Sequence, residues 1–343
     1  MLIGNRNITD IFKIATYCKY FFNKEIFVDL RSKRDNKSDI DSSWHFAHDN
    51  SSFDINNESS VNEVYELSKL SKINIFSISI YCGASKKQEF HYGITAVNNA
   101  SLLCDVGHNN TIILRITGGN PKTNNEKKDA LLNFKRWICH AKSLFEKTNR
   151  KVIIGIEIHQ GQWPENINQA TEIISSLELI LDESEQKFFG IIDDYANRFI
   201  SGLGKLDKIN EIVSKKTIYN HIKDVSLSLI KSKKSDSNGF QIIGDTNFEY
   251  GNTPFEWTMP GKGSVNLQAQ ISNSLLYSKP PGNLFCYSTE HVPASKSNDE
   301  ALFIAMTYCK EIFEKIELHE QFIDENNYLT GETIDKNNIS ITR

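Results

Sequence analysis

The sequence predicts an α/β fold in which eight parallel strands alternate with eight helices and close into a (β/α)8 barrel. Short apolar runs alternate regularly along the chain with longer segments that have helical spacing, which implies parallel strands joined by crossover helices. Eight such units in 343 residues favour a closed barrel over an open sheet. No GxGxxG motif follows the first predicted strand, which argues against the nucleotide-binding form of an open sheet.

The predicted strands are short apolar runs bounded by polar or glycine-containing segments. They lie at residues 1–4, 25–31, 73–82, 111–119, 152–160, 189–194, 217–225 and 283–291. The predicted helices keep apolar residues three and four positions apart, as a helix that packs on a sheet does. They lie at residues 9–22, 61–71, 90–107, 128–148, 167–181, 206–215, 265–277 and 298–318. These elements form one predicted domain, residues 1–318, which a polar C-terminal arm follows at residues 319–343.

Two polar segments are too long to be ordinary connections between these elements. The first, residues 32–60, is rich in Ser, Asn and Asp and has Trp44 and His45 near its centre. It is predicted to be either a loop over the barrel mouth or a disordered insertion anchored by a few aromatic side chains. The second, residues 227–259, is predicted to be a loop insertion that ends in aromatic residues.

The composition argues against several classes of protein. The net charge is −4, so the chain lacks the basic surface expected of proteins that bind nucleic acid or membrane surfaces. The six cysteines include no C-x-x-C pair and lie in apolar segments, as buried free thiols of a reducing cytosol do. The N-terminal segment resembles neither a signal peptide nor a membrane-spanning helix. We therefore expect a soluble cytoplasmic protein with no nucleic-acid partner and no membrane contact.

The fifth predicted strand ends in a carboxylate and an imidazole. In its sequence, VIIGIEIHQ, Glu157 and His159 lie on the face opposite to Ile154, Ile156 and Ile158, because strand side chains alternate. In a parallel barrel the outer face packs on helices, and the inner face carries the chemistry at the C-terminal ends of the strands. A buried strand whose last residues are merely solvated would look the same, so this strand alone does not establish a site.

Three later predicted strands also carry metal-binding residues near their ends. The sixth ends at Asp194, beside Asp193, the seventh contains His221, and the eighth ends at Glu290. Adjacent strand ends converge on the axis of a barrel, so side chains far apart in sequence can lie close together. Two Glu, one Asp and one His suit a divalent ion such as Mn²⁺, Mg²⁺, Co²⁺ or Zn²⁺. We therefore predict a site for one divalent metal ion.

Five motifs together resemble the xylose isomerase-like TIM barrels, a superfamily that includes sugar phosphate isomerases and epimerases. The motifs are IGIEIH on the fifth strand, GIIDD (190–194) on the sixth, NHIKD (220–224) on the seventh, GKGSVN (261–266), and YSTEH (287–291) on the eighth. The resemblance runs from residue 1 to about residue 318. The sequence departs from the family in two places. Asn197 stands where many epimerases have a histidine, and the insertion at 227–259 is longer than usual.

The resemblance implies that Glu157, Asp194, His221 and Glu290 hold the ion. It also implies that oxygens of a small carbohydrate-like substrate complete the coordination of this ion. The G-x-x-x-D spacing selects Asp194 as the ligand on the sixth strand. Because only one of two adjacent strand residues points inward, Asp193 is then expected among the helices or beside a cation.

The implied reaction is the isomerisation or epimerisation of a sugar, a sugar phosphate, or a related polyol or keto acid through an enediolate. Glu157 and Glu290 would transfer the proton on opposite faces of this intermediate. Lys223 would stabilise the developing oxyanion or bind a substrate carboxylate or phosphate. Alternatively, Lys223 would form a salt bridge to Asp193 or Asp224.

Three further residues are candidates for contact with the substrate: His159, Asn197 and Arg115. For Arg115 we favour a buried structural role. Two rival functions remain open, a metal-dependent dehydratase of a sugar acid or cyclitol on the same scaffold and a non-catalytic sugar-binding barrel. An endonuclease-type barrel is disfavoured, because the chain is acidic and most of its histidines lie away from the strand ends. The remaining functions are compatible with a homodimer or a tetramer.

Overall fold

The structure is a computed structural model that describes most of the chain. It describes residues 8–22, 26–33, 52–86, 89–206, 208, 210–228, 240–243, 247–277, 285–287 and, from 303 to 315, all but residues 305, 309 and 313. Several predictions fall outside the described residues: the first strand at 1–4, most of the insertion at 32–60, Glu290, and the polar arm at 319–343.

Eleven strands lie in the described part of the chain and form two sheets. They are β1 (Phe27–Arg31), β2 (Asn74–Gly83), β3 (Thr111–Thr117), β4 (Lys151–Glu157), β5 (Phe189–Asp194), β6 (Thr217–Ile222), β7 (Asp224–Leu227), β8 (Phe240–Ile243), β9 (Asn247–Tyr250), β10 (Thr253–Thr258) and β11 (Phe285–Tyr287). The larger sheet has seven strands in the order β1-β2-β3-β4-β5-β6-β11, and its neighbouring strands pair in parallel. These seven strands confirm seven of the eight predicted.

The parallel sheet curls, because side chains of distant strands meet on its inner face. The Tyr219 hydroxyl of β6 lies 3.3 Å from Asp29 Oδ2 of β1, although four strands separate β1 from β6 in the sheet. The described strands thus form a curled parallel half-barrel, and the predicted eight-stranded closure would need the strand at 1–4.

Eight α-helices connect or follow the strands in the described residues. They are α1 (Ile8–Phe22), α2 (Glu58–Ser71), α3 (Glu89–Leu102), α4 (Asn124–Thr148), α5 (Ile167–Ile180), α6 (Tyr195–Ser201), α7 (Glu211–Lys216) and α8 (Leu267–Tyr277). The described residues between 303 and 315 are also helical. The helix predicted at 206–215 begins later than predicted, at Glu211, and a further short helix that was not predicted, α6, precedes it. Asp194 caps the start of α6 directly after β5, and Asn210 caps the start of α7.

The two faces of the parallel sheet differ as the alternation predicts. Ile154, Ile156 and Ile158 lie in the large outer core between the sheet and the helices. The inner face carries a smaller apolar layer, made of Phe76, Ile113, Ile153, Ile192, Ile218 and Tyr219. The charged ends of the strands lie beyond this inner layer, on the side of the loops that follow the strands.

The insertion at 227–259 contains three strands of a small antiparallel sheet, whose fourth strand, β7, immediately precedes it; this corrects the predicted loop. The strands of this sheet lie in the order β7-β10-β9-β8. The aromatic rings alternate along the strands and stack, at 5.5 Å between the ring centroids of Phe248 and Phe255 and 5.0 Å between those of Phe248 and Trp257. Burial of these rings stabilises the sheet. The chain leaves the parallel sheet after Ile222 and enters β7 at Asp224, so Lys223 lies at the junction of the two sheets.

Two further predictions concern the cysteines and membrane-spanning helices. Four cysteines have described surroundings and are free thiols; three of them are buried and Cys139 is partly buried. In the part of the chain that the structure describes, no helix is long and apolar enough to span a membrane.

We predict that Gly155→Ala destabilises the protein through a clash on the inner face of the parallel sheet. A Cβ at this position would lie 2.6 Å from Ile192 Cδ1 and 2.8 Å from Ile113 Cγ2. Overpacking of this kind lowers the free energy of unfolding by about 1–3 kcal/mol, which urea denaturation would measure. Ile192→Val removes the nearest atom, so the double variant should lose less stability than the sum of the two single variants. Additive losses would contradict this contact.

Candidate functional site

Three predicted ligands meet at the C-terminal ends of neighbouring strands. Glu157, Asp194 and His221 come from β4, β5 and β6, and Asp194 pairs with His221 in the sheet register. His221 Nδ1 lies 2.9 Å from Glu157 Oε1 and 3.3 Å from Asp194 Oδ2. All three side chains are buried, and one ligand atom from each lies within 4.8 Å of the others. We call these three residues the triad. Glu290, the fourth predicted ligand, lies outside the described residues.

The two adjacent aspartates point in opposite directions, as the alternation predicts. Asp193 faces the helices, where its Oδ1 accepts a hydrogen bond from Arg198 Nε at 2.7 Å. Asp194 faces the triad. Its Oδ1 accepts the backbone N–H of Asn197 at 2.9 Å and caps α6, while its Oδ2 contacts His221. The expectation that Asp193 pairs with a cation is confirmed.

Two buried cations contact the carboxylates of the triad. Arg115 NH1 lies 3.0 Å from Glu157 Oε1, and Lys223 Nζ lies 2.7 Å from Asp194 Oδ2. Burial opposes the charged form of Glu157, but Arg115 and His221 outweigh it and hold its pKa well below the usual range. Burial likewise opposes the charged form of Asp194, but Lys223 and His221 hold its pKa below the usual range. Both carboxylates are therefore ionised at neutral pH.

These contacts bear on whether Arg115 has a structural role and on whether Lys223 forms a salt bridge to Asp193 or Asp224. Arg115 has the buried structural partner that we favour, Glu157, and it also donates to the Ser79 hydroxyl. The predicted partners of Lys223 have other partners of their own. Asp193 pairs with Arg198, and Asp224 accepts backbone N–H groups at residues 225, 261, 263 and 265. Lys223 therefore reaches a triad carboxylate instead.

Asp29 and Tyr219, for which no role was predicted, also lie at the site, and the Tyr219 hydroxyl is 3.3 Å from Asp29 Oδ2. Asp29 Oδ2 lies 3.7 Å from His221 Nε2, so the imidazole lies between carboxylates on both sides of its ring. Burial opposes protonation of His221, but the neighbouring carboxylates of Asp194, Asp29 and Glu157 raise its pKa to about 9. A carboxylate behind a ligating histidine fixes the orientation and tautomer of the ring. Strand alternation predicts that Asp29 lies on the inner face of β1, but its contact with His221 on β6 cannot be predicted from the sequence.

His159 lies beside the triad as a neutral imidazole. Its Nδ1 is 2.9 Å from the Gln160 carbonyl oxygen. Because a carbonyl oxygen only accepts, Nδ1 carries the proton and Nε2 keeps a lone pair. Burial lowers the pKa of His159 to about 4, against an opposing effect of Glu157. The ring is therefore a hydrogen-bond acceptor at Nε2 at neutral pH.

Asn197, the last predicted contact residue, is fully buried and connects two elements of the site. Its backbone N–H donates to Asp194, and its side-chain Nδ2 donates to the Ile158 carbonyl oxygen at 3.4 Å. These bonds hold the start of α6 against the segment that follows β4. The structure thus places Asn197 behind a predicted ligand.

The donor set of the triad fits a divalent ion. Two carboxylates and one imidazole offer oxygen and nitrogen atoms that are already within 4.8 Å of one another. Such a mixed set is typical of sites for Zn²⁺, Mn²⁺ or related ions. An imidazole coordinates only through an unprotonated nitrogen, so His221 would lose the Nδ1 proton when an ion binds.

Comparison with known proteins identifies the fold. No protein-family model matches the chain, and no curated protein matches it. Among solved structures, a xylose isomerase domain protein from Planctomyces limnophilus is similar with a TM-score of 0.54 and 12% identity, over 89% of this chain and 92% of that chain.

Two other solved structures cover the chain equally well. The IolI protein, solved with a bound zinc atom, is similar with a TM-score of 0.50 and 12% identity, over 90% of this chain and 97% of that chain. The probable 3-DHS dehydratase AsbF from Bacillus anthracis is similar with a TM-score of 0.50 and 13% identity, over 88% of this chain and 93% of that chain. At such identities the likeness concerns the fold alone. The resemblance to the xylose isomerase-like TIM barrels that the motifs predict is thus confirmed for the fold of this chain.

Proposed function

We propose that this chain is a divalent-metal-dependent enzyme that moves a proton next to the carbonyl of a carbohydrate-like substrate. An isomerase or epimerase of a sugar, a sugar phosphate or a related polyol or keto acid is the form that the site supports best. One observation carries the proposal. Three ionisable ligands, Glu157, Asp194 and His221, converge at the C-terminal ends of adjacent parallel strands, where barrel enzymes carry their chemistry.

The proposed ligands of the ion are these three residues and Glu290, which lies outside the described residues. The oxygen and nitrogen donors suit Mn²⁺, Mg²⁺, Co²⁺ or Zn²⁺. The bound zinc of IolI, a protein of similar fold, supports a bound metal ion in this chain without identifying its position or which metal it is.

The chemistry that a bound divalent ion supplies is that of a Lewis acid, which polarises a carbonyl and acidifies the adjacent C–H bond. In the proposal, Glu157 accepts the proton on one face of the substrate and Glu290 returns a proton on the other. Arg115 holds the carboxylate of Glu157 in place but also lowers its pKa, which makes it a weak base. Proton removal by Glu157 therefore requires a substrate whose C–H bond is strongly acidified.

Two neighbouring side chains have proposed roles toward the substrate. Lys223, whose Nζ lies 2.7 Å from Asp194 Oδ2, would donate a hydrogen bond to a substrate oxygen on which negative charge develops. His159 would contact the substrate through its neutral imidazole ring, whose Nδ1 donates to the Gln160 carbonyl oxygen. Asn197 is the weakest of the proposed contacts, since its side chain already donates to Ile158.

A dehydratase of a sugar acid or cyclitol is the second candidate. Its first step is the same proton removal, after which a hydroxyl on the neighbouring carbon leaves as water. The likeness in fold to the probable 3-DHS dehydratase AsbF favours keeping this candidate. The composition of the product distinguishes the two reactions. A dehydratase product contains one water fewer than its substrate, whereas the product of an isomerase or epimerase has the same composition as its substrate.

We predict that three aspartate-to-asparagine variants differ in their affinity for Mn²⁺. Asp194→Asn removes a ligand and should lose most bound Mn²⁺. Asp29→Asn removes only the carboxylate behind His221 and should weaken Mn²⁺ affinity by about 10–100-fold. Asp193→Asn is the matched control, because its side chain faces Arg198, and it should retain wild-type affinity. Calorimetric titration of each folded variant would measure these affinities, and wild-type affinity in Asp194→Asn would refute its assignment.

We predict that the enzyme exchanges a substrate proton with solvent and that Glu157→Gln largely abolishes this exchange. In D₂O, a panel of ketoses and keto acids should acquire deuterium next to the carbonyl, which mass spectrometry detects. Removing the base should reduce the rate by about 100-fold or more while some metal is retained. Glu172→Gln, a substitution on the outer surface of α5, is the matched control and should leave the rate unchanged. If a true substrate were converted with no deuterium incorporated into the product, a hydride shift would be indicated. Glu157 would then be a metal ligand without a role in proton transfer.

A further inference from the structure

The loop that follows β4, residues 158–166, carries His159, and one peptide group of this loop orients the imidazole ring. We call this segment the β4 loop. The peptide group joins Gln160 to Gly161. Its carbonyl oxygen accepts the Nδ1 proton of His159 at 2.9 Å, and its N–H donates to Glu165 Oε1 at 3.0 Å. Because a peptide group is planar, its C=O and N–H turn together, so Glu165 acts on the ring through this group.

The backbone of the β4 loop does not select this orientation by itself. Gly161 has a φ of +69°, in the left-handed region that glycine adopts without a steric penalty. Glycine populates positive and negative φ about equally, so its intrinsic preference allows the 160–161 peptide group to rotate. The hydrogen bond from the Gly161 N–H to Glu165 is therefore an interaction that selects the observed orientation.

Glu165 is itself held from two sides. Its backbone N–H donates to Gln169 Oε1 of α5 at 2.9 Å. The Tyr250 hydroxyl donates to Glu165 Oε1, the same oxygen that accepts the Gly161 N–H. Burial and the neighbouring Glu165 raise the pKa of Tyr250, so its hydroxyl keeps its proton and remains a donor. The Tyr250 ring also lies against the loop, since a Cβ at Gly161 would be 3.8 Å from its Cε2 atom.

The strand that carries Tyr250 is fixed to another element of the site. Tyr250 ends β9, and it packs against an apolar cluster that contains Phe248 and Phe255 of the antiparallel sheet and Phe199 of α6. Helix α6 begins directly after Asp194, whose side chain caps it. The antiparallel sheet therefore joins the segment that follows β5 to the β4 loop, and Tyr250 forms the contact with that loop.

We infer that Tyr250 and Glu165 are positioning residues that hold the His159 ring in one orientation and one tautomer. The insertion at 227–259 thereby contributes to the site, although none of its residues is a predicted ligand or substrate contact. The service of this ring to a substrate rests on the proposed function, whereas its orientation does not. The chain of contacts runs from the Tyr250 hydroxyl through the Glu165 carboxyl group and the 160–161 peptide group to Nδ1 of His159.

The test is nuclear magnetic resonance of the full chain with ¹⁵N-labelled histidine, which shows which ring nitrogen carries the proton. A His159→Asn variant assigns the signal, and the wild type should have the proton on Nδ1. Glu165→Ala should lower the ratio of the Nδ1–H to the Nε2–H tautomer by about 5–10-fold, as expected for the loss of a hydrogen bond. Tyr250→Phe should lower it less, because the Gly161 N–H keeps its acceptor. Glu165→Gln keeps an acceptor oxygen and should retain the wild-type ratio.

Two matched variants and three other histidines serve as controls. Glu172→Ala removes the same side chain from the outer surface of α5, and Tyr20→Phe removes a hydroxyl from a residue that is 90% exposed on α1. Both should keep the wild-type tautomer. The ring signals of His91, His108 and His140, which lie on other segments of the chain, should be unchanged in every variant and so show that it is folded.

Separate results decide the inference and the proposed function. A wild-type tautomer in both Glu165→Ala and Tyr250→Phe would overturn the inference, whatever reaction the chain catalyses. With Mn²⁺ and the same panel of ketoses and keto acids in D₂O, deuterium incorporation should fall about 10-fold in Glu165→Ala and recover in Glu165→Gln. An altered tautomer with an unchanged rate would overturn the positioning role in the reaction. Failure of the wild type to bind Mn²⁺ would defeat the proposed function, while the tautomer ratio would still decide whether these residues hold His159.

Discussion

The site depends on one physical requirement: the ionised carboxylates buried at one end of the parallel sheet must be compensated by neighbouring groups. A carboxylate in a protein interior stays charged only where cations and hydrogen bonds replace water. Glu157 has Arg115 and His221 beside it, and Asp194 has Lys223 and His221. These partners come from β3, from β6 and from the junction that follows β6. The cluster is therefore neutralised only when the sheet has its observed register and curl, and the site and the fold depend on each other.

The inner face of the sheet has two layers that together explain the strength of these interactions. Apolar side chains such as Ile113, Ile153 and Ile192 form the lower layer, and the charged groups lie above it. An apolar layer excludes water from below, so electrostatic attraction and repulsion in the layer above are stronger than in water. The charged layer faces the loops that follow the strands, which is where parallel barrels bind substrates. In this layer, β4 to β6 carry the triad, while β1 carries Asp29 and β3 carries Arg115.

Strand alternation accounts for most of what could be predicted from the sequence. The alternation depends only on the strand itself. It therefore correctly predicted that Asp194 faces the site and that Asp193 faces the helices. The contacts of Asp29 with Tyr219 and His221 could not be predicted, because contacts between distant strands depend on register and on the curl of the whole sheet. The antiparallel sheet within 227–259 was missed for another reason. Its strands are short and polar on one face, and without a known neighbour such strands look like a loop.

The most direct test of this account is a crystal structure of the full chain grown with Mn²⁺, with the ion located by its anomalous scattering. The account predicts one strong peak within about 2.0–2.6 Å of ligand atoms of Glu157, Asp194 and His221. It also predicts that Nδ1 of His221 faces the ion while Nε2 still faces Asp29. No peak between these three residues, with Arg115 and Lys223 as the sole partners of the carboxylates, would contradict the account. The cluster would then be a structural ion-pair network, and the fold would carry no metal chemistry at this end of the sheet.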